Sequence, residues 1–226
     1  MFIDCHIHTN RYSPCSLLAP HQAVLQARES GLQALVITEH QIQWSPKEVQ
    51  ELKAQFPDMA IYSGLEVTLA EEVDLVLITP NHALQIPFGI NFSSLYSRLG
   101  DLWERSFVFL AHAYRWTDLL NPEAEKILPH IHGLEMNSVN ILNGQYQESQ
   151  GKFKPRLQAA YQELRSKFDL LPLYNSDAHL EQAVGSIANY LSYPAPPADE
   201  AKLASLLKST ESREYQNYKL LQELLG

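Results

Sequence analysis

The sequence has few cysteines and no long hydrophobic run. Only two of its 226 residues are cysteine, Cys5 and Cys15, which is too few for a disulfide framework and is typical of a reducing compartment. The longest apolar runs, at residues 34–38 and 75–79, are far shorter than a membrane-spanning helix. The chain also starts without a basic, apolar leader. We therefore expect a cytoplasmic protein with no membrane partner.

The sequence also lacks an excess of basic residues. It has 17 Lys and Arg against 26 Asp and Glu, which gives a formal net charge of −9. Surface binding of long nucleic acid depends on clustered Lys and Arg, so this balance argues against it. No Gly/Ser-rich linker or internal repeat divides the chain. We expect a single domain over residues 1–226 that acts on a small anionic molecule, and we leave its oligomeric state open.

Short apolar segments alternate with amphipathic ones along the chain. The apolar segments predict strands at 2–8, 32–40, 60–69, 73–79, 107–112, 132–137 and 171–177. The amphipathic segments predict helices at 20–30, 46–56, 93–104, 122–128, 154–168, 197–208 and 211–225. This alternation indicates an α/β fold with a parallel sheet covered by helices. With no Gly-rich dinucleotide fingerprint after the first strand, the pattern favours a barrel, with C-terminal helices (197–226) packed on it.

Histidine and carboxylate residues fall where the predicted strands end. The carboxyl ends of parallel strands meet at one rim of a barrel, where such barrels place their active sites. The residues at these ends are His6, His8, His40, Glu66, His112, Asp177 and His179. By contrast, His130 and His132 precede their strand and are expected at the opposite rim.

A rim that gathers five imidazoles and two carboxylates needs a counter-ion, because burying unpaired carboxylates costs free energy. Mixed imidazole and carboxylate ligands suit zinc, manganese or iron. Seven ligands are too many for one tetrahedral ion. We therefore expect two or three divalent metal ions, with Glu66 as the bridging ligand.

Five segments together resemble the motifs of the PHP (polymerase and histidinol phosphatase) family. They are Asp4-Cys5-His6-Ile7-His8-Thr9, Ile37-Thr38-Glu39-His40, Gly64-Leu65-Glu66-Val67-Thr68, Leu110-Ala111-His112 and Ser176-Asp177-Ala178-His179. The resemblance implies a distorted (β/α)7 barrel that hydrolyses phosphoesters with two or three metals. It implies one metal held by His6, His8, Glu66 and Asp177, a second by Glu66 and His112, and a third by His40 and His179.

Three positions depart from the family pattern. Asp74 stands where many members have histidine, and it could be a metal ligand or a mid-strand polar residue without a metal role. Cys15 lies in a segment where many members have Asp or His; it could be a soft ligand, but we favour a small buried cysteine. Glu39 replaces the more usual Asp before His40.

The predicted reaction is hydrolysis of a small phosphate ester, either a phosphomonoester or a nucleotide-type phosphodiester, by a metal-activated hydroxide. The expected catalytic residues are Asp177, His179 and Glu66, with Asp177 or His179 managing the proton. Arg115 and Arg11 are the candidate phosphate-binding residues.

Two other functions compete with this prediction. A non-catalytic metal-binding scaffold or regulatory module would be expected to have lost some ligands, whereas all seven are present. A metal-dependent enzyme acting on carbon–nitrogen bonds would be expected to carry a carboxylated lysine on a strand, and no lysine lies at a predicted rim. The ligand set therefore favours the phosphoesterase.

Overall fold

The structure is a computed structural model that describes residues 1–115, 117–143 and 146–226. The strands are β1 (Phe2–Ile7), β2 (Ala34–Ile37), β3 (Ala60–Ser63), β4 (Leu65–Thr68), β5 (Asp74–Ile78), β6 (Phe107–Leu110), β7 (Gly133–Asn137), β8 (Tyr146–Ser149), β9 (Lys152–Pro155), β10 (Leu171–Tyr174), β11 (Ile187–Tyr190) and β12 (Arg213–Gln216). The helices are α1 (Pro20–Glu29), α2 (Pro46–Gln55), α3 (Phe92–Leu99), α4 (Asp101–Glu104), α5 (Pro122–Glu125), α6 (Val139–Leu142), α7 (Gln158–Phe168), α8 (Glu200–Ser209) and α9 (Tyr218–Leu225).

The strands form two five-stranded sheets and a separate hairpin of β8 and β9. The first sheet has the order β12-β11-β1-β2-β3, and the second has the order β10-β7-β6-β5-β4. Only Gly64 separates β3 from β4, so the chain passes directly from one sheet to the other. Just beyond the ends of β1 and β10, the amide of His8 donates to the carbonyl oxygen of Ala178 over 2.9 Å. The two sheets therefore meet beside the residues predicted to bind metal.

The mixed α/β class is as predicted, but the described strands do not close into a (β/α)7 barrel, and the predicted parallel sheet is wrong in part. Strand β5 pairs antiparallel with both β4 and β6, and β11 pairs antiparallel with β1 and β12. These reversals interrupt the uniform strand–helix alternation that a parallel barrel requires.

The predicted helix 93–104 is observed as α3 and α4. Three further predicted elements differ from the observed ones because of contacts with distant residues. The predicted strand 60–69 breaks at Gly64, where a Cβ atom would lie 2.6 Å from the carbonyl oxygen of Leu77. The predicted helix 211–225 contains β12, whose residues pair with β11 from Ile187–Gln216 to Tyr190–Arg213. The predicted helix 154–168 begins only at Gln158, because β9 occupies the preceding residues.

The apolar core lies between the sheets and their covering helices. Strands β2 and β6 are buried along their whole length, which matches their continuous apolar sequences. Helix α2 begins at a capping box, in which the Ser45 hydroxyl accepts from the Glu48 amide and the Glu48 carboxylate accepts from the Ser45 amide. None of the described helices is long and apolar enough to span a bilayer.

Candidate metal centre

Seven predicted metal ligands converge at one place although they come from both sheets. His6 is in β1 and His8 follows it, so the two side chains share a face. The remaining ligands are His40 after β2, Glu66 in β4, His112 after β6, and Asp177 and His179 after β10. Five of the seven follow the end of a strand, and His6 lies one residue before such an end, as predicted. Glu66 was predicted at the end of a strand but is the second residue of β4.

Glu66 is at the middle of this cluster and is buried. Its Oε1 lies 3.0 Å from His112 Nε2 and 3.5 Å from His6 Nε2. Its Oε2 lies 2.9 Å from His40 Nδ1 and 3.3 Å from His8 Nε2. One carboxylate thus contacts four imidazoles, which is the arrangement expected of a bridging ligand.

Asp177 follows β10, in the same sheet as Glu66, and contacts two of the same histidines. Its Oδ1 lies 3.5 Å from His6 Nε2 and 3.4 Å from His8 Nε2. This oxygen is buried and has no hydrogen-bond partner among the described residues. A buried carboxylate oxygen without a donor is costly, so the structure leaves a polar atom that a cation would satisfy.

The hydrogen bonds around His6 and His8 fix which ring nitrogens face the cluster. His6 Nδ1 is 3.0 Å from a carboxylate oxygen of Glu135, so Nδ1 carries the proton. His8 Nδ1 is 3.2 Å from Ser13 Oγ, and that hydroxyl donates its own proton to Glu39, so His8 Nδ1 is also the donor. In the neutral rings, both Nε2 lone pairs therefore point inward, and these two atoms lie only 3.0 Å apart. A positive charge between them is needed to offset their repulsion.

The pKa directions agree with a pocket that favours positive charge. Burial alone would lower the pKa of His6, but the charges of Asp177, Glu135 and Glu66 raise it well above its usual value. Burial likewise would lower the pKa of His8, yet the hydrogen bonds that its ring donates to the Asp177 and Glu66 carboxylates raise that pKa to about 9. Although burial would raise them, the pKa values of Glu66 and Asp177 are lowered, mainly by the charge of His6. A site that holds a proton this firmly without metal is suited to hold a cation in its place.

Three groups of described residues could each hold a metal ion, because their ligand atoms lie within 4.8 Å of one another. The groups are His6, His8 and Asp177; His6, Glu66 and His112; and His8, His40 and His179. The donor set of imidazoles and carboxylates fits divalent zinc, manganese or iron.

Two of the clustered residues have left-handed backbone conformations. The φ angle is 27° at His112 and 51° at Asp177. Residues other than glycine rarely adopt positive φ, and such strain concentrates at functional sites. In both cases the chain turns sharply just after a strand, which directs the side chain into the cluster.

Sequence reasoning missed the residues that orient the ligands. Glu135 in β7 is buried and accepts from His6 Nδ1, from the His112 amide at 3.1 Å and from Asn175 Nδ2 at 2.9 Å. Asn140 donates through Nδ2 to Asp177 Oδ2 over 2.6 Å. The signal for Glu135 was a single carboxylate inside the apolar strand Gly-Leu-Glu-Met-Asn, whereas nothing in the sequence marks Asn140.

The structure separates the two arginines proposed to bind phosphate. The Arg115 guanidinium donates over 3.4 Å to Asn140 Oδ1, and Asn140 in turn donates to Asp177, so Arg115 borders the cluster. The Arg11 guanidinium instead pairs with Glu48 and lies over the Trp44 ring at 5.0 Å. Arg115 is thus the arginine that this geometry connects to the candidate metal centre.

Asp74 lies at the margin of the cluster because antiparallel pairing puts the first residue of β5 at this rim. Its Oδ1 accepts from Thr68 Oγ1 over 2.6 Å, and its Oδ2 lies 3.9 Å from His112 Nδ1. Asp74 belongs to none of the three candidate groups found among the described residues. A cavity of about 430 Å³ opens beside it and is also lined by His112 and Arg115.

Cys15 differs from our interpretation of it as a small buried residue. Its side chain is exposed, and Sγ lies 3.3 Å from Nε2 of His40. Ser13 Oγ accepts a hydrogen bond from the His40 amide. This bond keeps the loop beside the cluster, with Cys15 exposed at the edge of the cluster.

Residues 4–209 match the PHP domain family. The chain therefore belongs to the PHP domain family. No curated protein matches the sequence. Among solved structures, PsfC from Pseudomonas syringae PB-5123 is similar over 99% of this chain and 95% of its own, with a TM-score of 0.68 at 15% identity.

Two further structures share the PHP-type fold. A two-domain protein from Bacteroides vulgatus ATCC 8482, containing a predicted PHP-like metal-dependent phosphoesterase, matches 96% of this chain with a TM-score of 0.67 at 14% identity, and this chain covers 64% of it. Endonuclease Q in complex with a 27-mer duplex carrying an abasic lesion matches 86% of this chain and 54% of its own, with a TM-score of 0.51 at 16% identity. At these identities the likeness concerns the fold.

Proposed function

We propose that this PHP domain is a metal-dependent phosphoesterase that hydrolyses a small phosphate ester. The observation that carries the proposal is the inward convergence of the His6 and His8 Nε2 atoms and the unpartnered Asp177 Oδ1. Three acceptors facing one point form a cation site, and the family to which the chain belongs supplies the expectation of phosphoester chemistry.

The residues would divide among the metals as the family resemblance implies. His6, His8, Glu66 and Asp177 would hold one ion; Glu66 and His112 would hold a second; His40 and His179 would hold a third. When bound, the ions would supply an activated water and would stabilise negative charge on the phosphoryl oxygens. We leave Asp74 outside this assignment because its nearest contact in the cluster is the 3.9 Å approach to His112.

Three residues of the chain are assigned proton or phosphate roles in this proposal. Asp177 or His179 manages the proton of the water or of the leaving group, since both residues lie in the loop after β10 at the edge of the cluster. Arg115 binds the phosphate, since it lines the cavity beside the cluster. Its contact with Asn140 also connects phosphate binding to the orientation of the Asp177 carboxylate.

The proposed substrate is small because both the charge and the cavity favour it. A net charge of −9 opposes the binding of a long polyanion over the protein surface. The cavity of about 430 Å³ beside His112 has room for a compact leaving group. A nucleotide diester remains within this class, so the assay includes monoesters and diesters.

The proposal is tested with purified protein supplied in turn with manganese, zinc, iron or cobalt, and assayed on an aryl phosphate monoester and its diester. Asp177→Asn and His6→Ala should each lower turnover by about a hundredfold or more, because metal ions contribute several kcal/mol to such transition states. His82→Ala, at an exposed position, is the control and should retain activity. Stoichiometric metal without turnover on either substrate would reject the enzyme and favour the non-catalytic metal-binding scaffold.

A further inference from the structure

We propose that Glu39 is a positioning residue of the metal centre: through the hydroxyl of Ser13, it fixes which ring nitrogen of His8 faces the metal ions. This role rests on the proposed metal-dependent function and adds to it a buried carboxylate that lies behind the ligands.

The carboxylate of Glu39 is wholly buried and is surrounded by hydrogen-bond donors. Its Oε2 accepts from the Thr9 amide over 3.1 Å and from the Ser13 hydroxyl. Its Oε1 accepts from Trp44 Nε1 over 3.1 Å and from the Thr9 hydroxyl. Each oxygen therefore faces one N–H group, which can only donate, and one hydroxyl, which could also accept. Only an ionised carboxylate, whose two oxygens both accept, satisfies all these donors.

Ser13 connects this carboxylate to two candidate metal ligands. A serine hydroxyl has one proton to donate and two lone pairs that accept. The proton goes to Glu39, one lone pair faces His8 Nδ1 at 3.2 Å, and the other accepts from the His40 amide over 3.2 Å. Because its proton is directed to Glu39, the hydroxyl can only accept from His8. Nδ1 therefore carries the ring proton, and the Nε2 lone pair faces the cluster.

Glu39→Gln would disturb this arrangement because an amide group donates where the carboxylate accepts. Its NH₂ group would face either Trp44 Nε1–H and the Thr9 hydroxyl, or the Thr9 amide and the Ser13 hydroxyl. An N–H group cannot reverse, so both orientations set two donors against each other in a buried place. In the second orientation the Ser13 hydroxyl would accept from the new amide and donate to His8 Nδ1. The ring proton would then move to Nε2 and remove the lone pair that a metal needs.

The two inward-facing histidines are thus oriented by different devices. Glu135 contacts His6 Nδ1 directly over 3.0 Å, whereas Glu39 acts on His8 through one hydroxyl. A carboxylate in direct contact both fixes the tautomer and raises the basicity of the ring. Glu39 supplies mainly the first of these effects, because Ser13 separates its charge from the imidazole.

Zinc titration and NMR of the full chain with isotope-labelled histidine test the proposal. In zinc-loaded wild type, the long-range proton–nitrogen spectrum should show His8 coordinated through Nε2, with an Nδ1 proton that exchanges slowly with solvent. Ser13→Ala removes the acceptor of that proton, so the slowly exchanging signal should be lost. Its zinc affinity, measured by isothermal titration, should fall about 10- to 100-fold. Glu39→Gln should have the same two effects.

Thr9→Val is the matched control. It also removes one hydroxyl that donates to Glu39, but that hydroxyl makes no hydrogen bond to the His8 ring in the described structure. Both its zinc affinity and its slowly exchanging His8 signal should stay close to those of wild type. Equal loss of affinity in Thr9→Val and Ser13→Ala would indicate a general effect on the loop and would overturn the proposal.

The remaining outcomes separate this role from the metal centre itself. A slowly exchanging Nδ1 proton together with wild-type affinity in either folded variant, Ser13→Ala or Glu39→Gln, overturns the role of Glu39 and leaves the centre standing. Failure of wild type to bind zinc overturns the centre. Neither readout depends on turnover, so a failure of the proposed enzymatic activity is distinguished from a failure of this role. Circular dichroism shows whether each variant is folded, and each of the two variants provides the test if the other does not fold.

Discussion

Glu135 shows how individual buried side chains prepare this centre. Its carboxylate accepts from His6 Nδ1, from the His112 amide and from Asn175, so it orients two candidate ligands at once. A carboxylate behind a metal-binding histidine fixes the tautomer and raises the basicity of the ligand nitrogen. The residue is therefore expected to matter for metal affinity without touching the metal.

We predict that Glu135→Gln lowers metal affinity by about 10- to 100-fold, the effect typical of losing such an outer carboxylate. Isothermal titration with zinc measures it. Glu200→Gln is a matched control, because Glu200 is also a buried glutamate that accepts from a backbone amide, that of Ser63, but does not contact the cluster. Equal affinity of Glu135→Gln and wild type would contradict the role given to Glu135.

His132 is a half-buried histidine of a different kind, at the other end of β7. Its Nδ1 accepts from the Val108 amide over 3.1 Å. Burial, assisted by the charge of Lys208, lowers its pKa from 6.5 to about 4. Below pH 6.5 the unfolded chain therefore binds a proton that the folded protein does not take up until about pH 4, so stability falls as pH drops through this window.

We predict that His132→Asn reduces this acid sensitivity. Asparagine keeps an acceptor for the Val108 amide but does not titrate, so the variant should lose about 1 kcal/mol less stability than wild type between pH 6.5 and pH 4, a value reduced for partial solvent exposure. Urea unfolding at several pH values measures the difference. Parallel pH profiles for the two proteins would show that His132 does not contribute.

At the scale of elements, the junction of β3 and β4 connects the two sheets and places Glu66. Gly64 is required there by close approach: an added Cβ would lie 2.6 Å from the Leu77 carbonyl oxygen and 3.2 Å from Thr38 Cγ2. Backbone cannot give way as a flexible side chain does. A larger residue would therefore separate β4 from β5 and displace Glu66, two residues further on.

We predict that Gly64→Ala destabilises the protein by about 1–3 kcal/mol and weakens metal binding as well. Gly89→Ala is the comparison, because Gly89 has a φ of 67° but no atom within 4 Å of its added Cβ. That variant should show only a backbone penalty of about 1 kcal/mol and unchanged metal affinity. Thermal unfolding and zinc titration measure both, and unaltered affinity in Gly64→Ala would contradict the link to Glu66.

The elements also show what the sequence could and could not predict. Continuous apolar segments identified β1, β2, β6 and β10 and located the residues that follow them, because burial on both faces leaves a clear local pattern. Strand direction has no such local signal. Asp74 is the first residue of β5, and only antiparallel pairing with β4 brings it near His112.

Elements stabilised by distant partners were missed for the same reason. The sequence of β12, Arg-Glu-Tyr-Gln, fits a helix locally, yet it pairs with β11 across the C-terminal part of the chain. Glu135 and Asn140 could not be assigned to the centre because their partners lie in other strands and loops. The ligand types could be predicted from the sequence, but their orienting contacts could not.

At the scale of the whole molecule, the buried carboxylates of the candidate metal centre are expected to make the stability of the fold depend on metal binding. Glu66 and Asp177 are both buried among histidines, and Asp177 Oδ1 has no hydrogen-bond donor among the described residues. A ligand that binds only the folded state stabilises it by about 2.7 kcal/mol at a concentration of 100 Kd. The ions should therefore contribute to stability as well as to chemistry.

We predict that a chelator lowers the Tm of the metal-loaded protein by about 5–10 °C, since each kcal/mol shifts a domain of this size by about 2–4 °C. Differential scanning calorimetry with and without chelator measures the shift, and restored metal should reverse it. Asp177→Asn should respond much less, because it lacks the central carboxylate. A Tm that is indifferent to chelation in wild type would contradict the coupling.

Anomalous X-ray diffraction from crystals loaded with manganese or zinc tests the central claim most directly. The account predicts at least two anomalous peaks within the cluster, one among His6, His8 and Asp177 and another beside Glu66 and His112. Crystals that diffract well yet show no peak among these residues, or show peaks only elsewhere on the surface, would contradict it.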